Sequence, residues 1–161
     1  MKVIEQEIHS LKNSISEMWA LVHQQLYNAG EAMLTGDKEL AYKVISRERR
    51  VNAFELKIDS DCEDIIALYA PVAIDLRFVL AMYKINTNLE RLGDFAESIA
   101  RFAGNLPEGE PIDPQLVKET RVEEMLSELL SMISLTKEAF EKESSELSLI
   151  HISEPTRRVV I

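Results

Sequence analysis

Apolar residues recur every three or four positions along most of this chain, which is the spacing of amphipathic helices. The first such stretch spans about 30 residues, and its apolar face consists of Ile4, Ile8, Leu11, Ile15, Met18, Val22, Gln25, Ala29 and Met33. Gln25 is the one polar residue on that face. Gly36 can adopt the left-handed conformation that ends a helix, and Asp37 can cap the helix that follows.

The second predicted helix runs from about Asp37 to Tyr69 and carries acidic residues on its apolar face. That face consists of Val44, Glu48, Val51, Glu55, Ile58, Cys62, Ile65 and Tyr69. A buried carboxylate needs a partner or a raised pKa, because burying the unpaired charge costs several kcal/mol. Alternatively, a slight rotation of the helix places Glu48 and Glu55 at the rim of the buried face.

The third predicted helix begins after Pro71, with Asp75 as its cap, and extends to about Ala103. One face is small and apolar, so another helix can approach it closely; it consists of Val79, Met82, Asn86, Leu89, Gly93, Ala96, Ala100 and Ala103. The adjacent stripe is mostly charged and consists of Tyr83, Thr87, Glu90, Asp94, Glu97 and Arg101.

Residues 104–114 are rich in glycine and proline and are predicted to form a loop. Asp113 and Pro114 are typical of a helix start, so we predict a fourth helix from about Pro114 to Ser145. Short connections place neighbouring helices antiparallel. A helix of about 30 residues is about 45 Å long. The chain is therefore predicted to be all-α, an elongated antiparallel up-and-down helical bundle.

Composition and charge exclude several classes of protein. The net charge is −10 for 161 residues, which argues against non-specific nucleic-acid binding and fits a cation or a basic partner. The single cysteine, Cys62, excludes an internal disulfide framework and suits the cytoplasm; its apolar position predicts a core residue. The longest apolar run, from Ile65 to Ile74, is shorter than the roughly 20 residues that span a membrane. We therefore expect membrane contact only through partners.

Carboxylates supply the candidate chemistry of the chain. Two pairs lie four residues apart and so share a helix face. With their acidic neighbours they make the candidate metal ligands: Glu90, Asp94, Glu55, Asp59, Glu48 and Glu97. We predict that Glu55 and Asp59 lie opposite Glu90 and Asp94 on two antiparallel helices. Their oxygens would then form a hard site suited to Mg²⁺, Mn²⁺, Ca²⁺ or iron, whereas zinc is disfavoured without imidazole or thiolate. The alternative is a solvated acidic stripe balanced by nearby arginines.

Signatures of catalysis are missing from the sequence. There is no glycine-rich phosphate loop, no G-x-S-x-G and no Cys-x-x-Cys. His9, His23 and His151 lie far apart along the chain, and no Glu-x-x-His motif of the di-iron bundles is present. Because no nucleophile or imidazole base accompanies the carboxylates, we expect a protein that is not an enzyme.

Three stretches match a known pattern in order and spacing: Asn52-x-x-Glu55, Pro71-Val72-Ala73-x-Asp75-Leu76-Arg77 and Lys84-Ile85-x-x-Asn88-Leu89-Glu90-Arg91-Leu92-Gly93-Asp94-x-Ala96. Together they resemble the PhoU family, the accessory and regulatory proteins of phosphate transport. The resemblance implies two three-helix repeats side by side. Residues 1–106 correspond to the first repeat, and residues 107–147 to a linker and the first helix of an incomplete second repeat, after which the chain is expected to be truncated.

The resemblance implies a cytoplasmic regulator of phosphate uptake and phosphate-starvation signalling that is commonly a homodimer. Its implied partners are the ATPase subunit of the phosphate ABC importer and a phosphate sensor histidine kinase. Some family members carry metal ions at acidic motifs, which implies Fe, Mn or Mg at Glu90 and Asp94, then at Glu55, Asp59 and Glu48, with no organic cofactor. The alternative function is a structural helical adaptor with acidic faces and no metal.

The end of the chain departs from the helical pattern. Residues 149–158 resemble a peptide produced when adapter DNA is translated at a broken gene end, so we expect residues 148–161 to be non-native; the alternative is a native disordered tail. The fourth helix would then expose an apolar face. We expect that face either to pack on the bundle as a fourth helix or to drive dimerisation.

Overall fold

Five α-helices make up residues 3–153, the part of the chain that the computed structural model describes, with side chains for residues 3–142. They are α1 (Val3–Thr35), α2 (Lys38–Tyr69), α3 (Ala73–Asn105), α4 (Pro114–Thr120) and α5 (Val122–Ser153). Residues 3–153 contain no strand, and the predicted all-α class is confirmed. Nor does any helix in this range have the length and apolarity needed to cross a membrane. Of the expected non-native tail, residues 148–153 continue α5 beyond its predicted end at Ser145, and residues 154–161 lie outside the described residues.

The first three helices form a bundle in which each contacts the other two. Between α2 and α3 the direction is antiparallel: Glu48 lies at the level of Gly93, while Cys62 further along α2 lies against Val79 nearer the start of α3. Residues 48 and 62 of α2 are two heptads apart, and so are residues 79 and 93 of α3. This repeat is typical of helices whose axes cross at a small angle. This register decides which charged residues of the two helices meet.

The tight face predicted for α3 is buried throughout: Val79, Met82, Asn86, Leu89, Gly93, Ala96, Ala100 and Ala103. At its centre, a Cβ atom on Gly93 would lie 2.9 Å from Val51 Cγ1, which is closer than two carbon atoms can pack. The missing side chain therefore lets α2 come close to α3 at this level.

Gln25 and Cys62, which were predicted on the apolar faces of α1 and α2, are also buried. Gln25 of α1 is fully enclosed, and its Nε2 donates a hydrogen bond to the carbonyl of Val44 on α2 at 2.8 Å. Cys62 lies in the core, and burial raises the pKa of its thiol to about 12. A thiol that stays protonated is a packing residue, because the thiolate is the reactive form.

Helix ends follow the predicted signals at Gly36 and Asp37 but not at Asp75. Asp37 caps α2 by accepting a hydrogen bond from the Leu40 amide at 3.0 Å. Gly36 before it has φ +74°, which glycine adopts readily. The prediction that Asp75 caps α3 is wrong: the helix begins earlier, directly after Val72. Asp75 lies instead in the first turn, where the helix dipole favours a negative charge.

The single helix predicted from Pro114 to Ser145 is interrupted at Arg121. Asp113 caps its start as predicted, but Arg121 adopts a left-handed conformation at φ 54° and ends the short α4. For a residue other than glycine this conformation costs roughly 1–2 kcal/mol. The break redirects the chain so that α5 can pack on α1, whereas α4 buries no residue of its own.

Helix α5 packs against α1 as a fourth helix. The indole Nε1 of Trp19 donates a hydrogen bond to the Ile133 carbonyl at 3.1 Å, and its ring stacks on Phe140 with 5.6 Å between centroids. Near the other end, the Leu126 side chain occupies the space above Gly30. Within the described residues α5 contacts only α1 and α4. Whether its outer face also drives dimerisation stays a prediction.

The connection between α3 and α4 is fastened to the turn between α1 and α2. The Ile112 amide donates a hydrogen bond to the Met33 carbonyl at 3.1 Å. A Cβ atom on Gly36 would lie 2.8 Å from the backbone at Glu110 and Pro111. The loop and the turn therefore touch through their backbones.

Candidate metal centre

Glu48 is the most unusual side chain in the described structure. Only 5% of it is exposed, and neither carboxylate oxygen has a hydrogen-bond partner. Glu48 lies beside Gly93, where a Cβ atom would be at van der Waals distance, 3.6 Å, from each Glu48 oxygen. Burial raises the pKa of Glu48 to about 7, with further contributions from Glu97, Asp94 and Glu90 in that order. The fold thus encloses an acid whose carboxylate has no hydrogen-bond partner among residues 3–142.

Two residues of α3 share this space with Glu48. Asp94 and Glu97 each place a carboxylate oxygen so that, with one of Glu48, all three oxygens lie within 4.8 Å of one another. Asp94 and Glu97 are three residues apart and so lie side by side on one helix face. Glu48 is buried, Glu97 half-buried and Asp94 exposed. We call these residues the three-carboxylate cluster; it leads from the core to solvent.

Glu97 has a further partner on its own helix. The Arg101 guanidinium donates two hydrogen bonds to it, the one from Nε at 3.0 Å. A surface pair of this kind adds little stability. Its effect is to fix the direction of the Glu97 carboxylate toward Glu48 and Asp94.

The other predicted ligands lie outside the cluster. Burial raises the pKa of Glu90 to about 7, with further contributions from the neighbouring Asp94 carboxyl. Burial raises the pKa of Glu55, and the negative charges of Asp59 and then Asp94 raise it further. Asp59 instead accepts a hydrogen bond from the Asn86 amide at 2.7 Å. The structure thus brings Glu48 and Asp94 together with Glu97, puts Glu90 beside Asp94, and leaves Glu55 and Asp59 outside the cluster.

These residues fit a hard cation. All three ligands are carboxylates, the donors that Mg²⁺, Mn²⁺ and Fe²⁺ accept and that a structural zinc site does not favour. Like charges this close repel, and one of them is buried without a partner. A cation bound to Glu48, Asp94 and Glu97 would remove both costs and would link α2 to α3.

A cleft of about 440 Å³ opens between α2 and α3 beside the cluster. Its polar lining comes from both helices: Ser46, Glu48, Arg49, Asn52, Glu97 and Arg101. The two arginines and Asn52 are not among the predicted site residues. Asn52 is four residues from Glu48, and Arg101 is four residues from Glu97. Their spacing is the available signal, since residues three or four apart share a helix face. Arg49 directly follows Glu48 and carries no such signal. A cation in the cluster would be accessible from this cleft.

The described residues define an all-α protein, a bundle of long helices with a cluster of carboxylates between two of them. The PhoU domain family matches residues 15–103, which is more than half of the chain. This chain therefore belongs to the PhoU family. The matched range falls within the predicted first repeat, residues 1–106, whose exact boundaries stay a prediction.

The chain matches two named PhoU proteins over different shares of their length. The chain is 34% identical over 153 residues to the phosphate-specific transport system accessory protein PhoU homolog of Aquifex aeolicus, covering 90% of this chain and 69% of that one. It is 41% identical over 97 residues to PhoU of Escherichia coli, covering 60% of this chain and 40% of that one. The names describe accessory proteins, in agreement with a function that is not enzymatic.

Solved structures agree with the fold. The crystal structure of PhoU from Pseudomonas aeruginosa matches with a TM-score of 0.75 at 28% identity, over 90% of this chain and 68% of that one. The phosphate transport system regulatory protein PhoU of Streptococcus pneumoniae matches with a TM-score of 0.65 at 26% identity, over 93% and 74%. The helical architecture is therefore that of PhoU proteins.

Proposed function

We propose that this chain regulates phosphate uptake and phosphate-starvation signalling in the cytoplasm and holds a metal ion in the three-carboxylate cluster. Its proposed partners are the ATPase subunit of the phosphate ABC importer and a phosphate sensor histidine kinase. Family membership and the naming of relatives as accessory proteins of phosphate-specific transport support the regulatory part. The observation that carries the metal part is Glu48, a buried carboxylate with no hydrogen-bond partner in the described part of the chain.

The proposed ligands begin with the three-carboxylate cluster, in which Asp94 and Glu97 accompany Glu48. Glu90 comes next because it neighbours Asp94. Glu55 and Asp59 are proposed only as outer ligands, since Asn86 holds Asp59. Fe, Mn and Mg all suit this oxygen set. When bound, the ion supplies positive charge that keeps the carboxylates ionised.

Metal retention tests the proposed centre. Protein purified without chelator and dialysed against Mn²⁺ is expected to retain the ion, as measured by elemental analysis. The double variant Asp94→Asn, Glu97→Gln keeps the side-chain shapes but removes two ligand charges, so it should bind Mn²⁺ at least about tenfold more weakly. Glu63→Gln, on an exposed position of α2, is the matched control and should bind like the wild type. Equal metal content in all three proteins would contradict the assignment.

The chain is proposed to form a homodimer in which the outer face of α5 is the contact surface. Met125, Met132 and Leu135 on this helix are 62%, 64% and 62% exposed, respectively. They lie on the helix that packs on α1, at positions that α1 leaves uncovered. An apolar strip of this kind supports self-association, because pairing two copies removes it from water.

Partner binding distinguishes the regulator from the alternative, a helical adaptor that binds no metal. The importer ATPase is expected to be retained by the immobilised chain in Mn²⁺ and to be released when EDTA replaces the metal. An adaptor that binds through its acidic faces would instead be released by salt and be indifferent to EDTA, because salt screens surface charges. Retention unaffected by EDTA would therefore favour the adaptor, and no retention in either buffer would contradict the proposed partner.

A further inference from the structure

We propose that the cleft between α2 and α3 binds a phosphate dianion, which completes the coordination of the metal held by Glu48, Asp94 and Glu97 and pairs with Arg49. This inference rests on the proposed metal centre. It adds a ligand to that centre and assigns roles to residues on the opposite wall of the cleft. Two separate features support it: an unpartnered buried carboxylate at the floor, and unpaired donors on the wall.

The charge of the cleft changes sign when a metal is bound. Without metal and with Glu48 ionised, the three carboxylates outweigh the two guanidinium groups of Arg49 and Arg101 by one negative charge. A divalent cation turns this into an excess of one positive charge. The cleft should therefore repel anions when empty and attract them when the metal is present, because opposite charges interact strongly where water is partly excluded.

The metal would have coordination positions to fill. Hard divalent cations such as Mg²⁺ take about six oxygen ligands and, in sites with few carboxylates, share them with water and substrate phosphates. The cluster offers one oxygen from each of three side chains. Glu48 closes the buried side, so the remaining positions open toward the cleft of about 440 Å³, which has room for a hydrated tetrahedral anion.

The wall of the cleft carries donors that the protein itself leaves unused. Arg49 and Asn52 are one helical turn apart on α2 and both line the cleft. Neither makes an ion pair or a side-chain hydrogen bond among residues 3–142, whereas the Ser46 hydroxyl already donates to the Lys43 carbonyl. A guanidinium binds two phosphate oxygens at once, which makes Arg49 the expected anchor. Arg101 is occupied by Glu97 and acts as a positioning residue for that ligand.

The experiment measures phosphate binding with and without metal. Wild-type protein is loaded with Mn²⁺, and radiolabelled inorganic phosphate is followed by equilibrium dialysis while the Mn²⁺ spectrum is followed by electron paramagnetic resonance. Phosphate should bind in Mn²⁺ and not in EDTA, and it should alter the Mn²⁺ spectrum. Arg49→Gln should weaken phosphate binding about tenfold or more with Mn²⁺ retained, since it removes a charged donor. Phenyl phosphate, used as a competitor, reports whether a monoester is accepted as well as the free ion.

A neighbouring arginine supplies the matched control. Arg50→Gln changes the net charge by the same amount, but Arg50 lies over the Phe54 ring, outside the cleft. It should leave phosphate affinity within about twofold, since distant exposed charges are screened. Equal weakening by both arginine variants would overturn the inference, as would a protein that retains Mn²⁺ and binds no phosphate; in that second case the metal centre would stand. Failure to retain Mn²⁺ would instead contradict the proposed function itself.

Discussion

Glu48→Gln is expected to stabilise the metal-free protein at pH 8 and to remove the stabilisation that metal gives. The wild-type acid has its pKa raised to about 7 in the fold, from an ordinary value of 4.5, chiefly by burial. At alkaline pH Glu48 is ionised in both states, but its charge is less favourable in the folded state, where it is buried, than in the unfolded state, where it is solvated. The shift corresponds to roughly 3 kcal/mol of lost stability. The neutral amide avoids this loss and can donate to Asp94 or Glu97.

The pH dependence follows from the direction of the shift. Below pH 4.5 the acid is protonated in both states and makes no difference to stability. As the pH rises from 4.5 to about 7, the unfolded chain releases a proton that folded Glu48 retains, so the free energy of unfolding falls. Above about pH 7 the loss is complete. In EDTA the variant should exceed the wild type by about 1–3 kcal/mol at pH 8, and the difference should shrink toward pH 4.5.

Denaturant unfolding in EDTA measures the stability of Glu48→Gln relative to the wild type. Unfolding in Mn²⁺ measures how much the metal stabilises each protein. At about a hundred times its dissociation constant, a ligand stabilises the folded state by about 2.7 kcal/mol. The wild type should gain this in Mn²⁺, whereas Glu48→Gln should gain little, so the lead of the variant over the wild type should fall by about 2.7 kcal/mol in Mn²⁺. Glu63→Gln, an exposed residue of the same helix, should follow the wild type. A Glu48→Gln protein less stable than wild type in EDTA at pH 8 would contradict the interpretation of Glu48 as an uncompensated charge.

Trp19→Ala is expected to free α5 from α1 while α1, α2 and α3 remain folded. The substitution removes the stacking on Phe140, the hydrogen bond to the Ile133 carbonyl and most of the buried ring. Large aromatic side chains cost about 3–5 kcal/mol when truncated in a core. Because α5 contacts only α1 and α4 in the described structure, this loss falls mainly on the docking of α5.

Hydrogen exchange resolves the helices separately. Amides of α5 should exchange at least about a hundredfold faster in Trp19→Ala, while those of α2 and α3 should change much less. Trp19→Phe keeps most of the ring and loses the indole donor, so it should cost only about 1 kcal/mol. If exchange in α2 and α3 rises as much as in α5, then the four long helices unfold as one unit and the expectation is wrong.

Burial along single helices could be predicted well from the sequence. Every residue of the predicted tight face of α3 is buried, because the helical repeat fixes which side chains share a face and small residues mark where a helix approaches. The Asp37 cap was predictable for a similar reason, since its bond to the Leu40 amide is local. Local rules failed at Arg121, whose left-handed conformation reflects the packing of α5 rather than any preference of arginine.

The composition of the site could be predicted only in part, because periodicity within one helix carries no information about the axial offset between two. The sequence placed Glu55 and Asp59 opposite Glu90 and Asp94. The observed register instead brings Glu48 to the level of Gly93 and draws Asp59 to Asn86. Whether Glu48 lies at the rim or in the core depended on the rotation of α2, which the Gly93 contact fixes.

The backbone contact between Gly36 and the α3–α4 connection divides that connection into two parts. Residues 110–112 are held against the end of α1, whereas a side chain added at Gly109 would meet nothing within 4 Å. Loop tips of this kind accept inserted sequence, while anchored backbone does not. A peptide tag or fluorescent reporter placed at Gly109 should therefore leave the bundle intact, and would provide an attachment point for following the protein without altering either terminus.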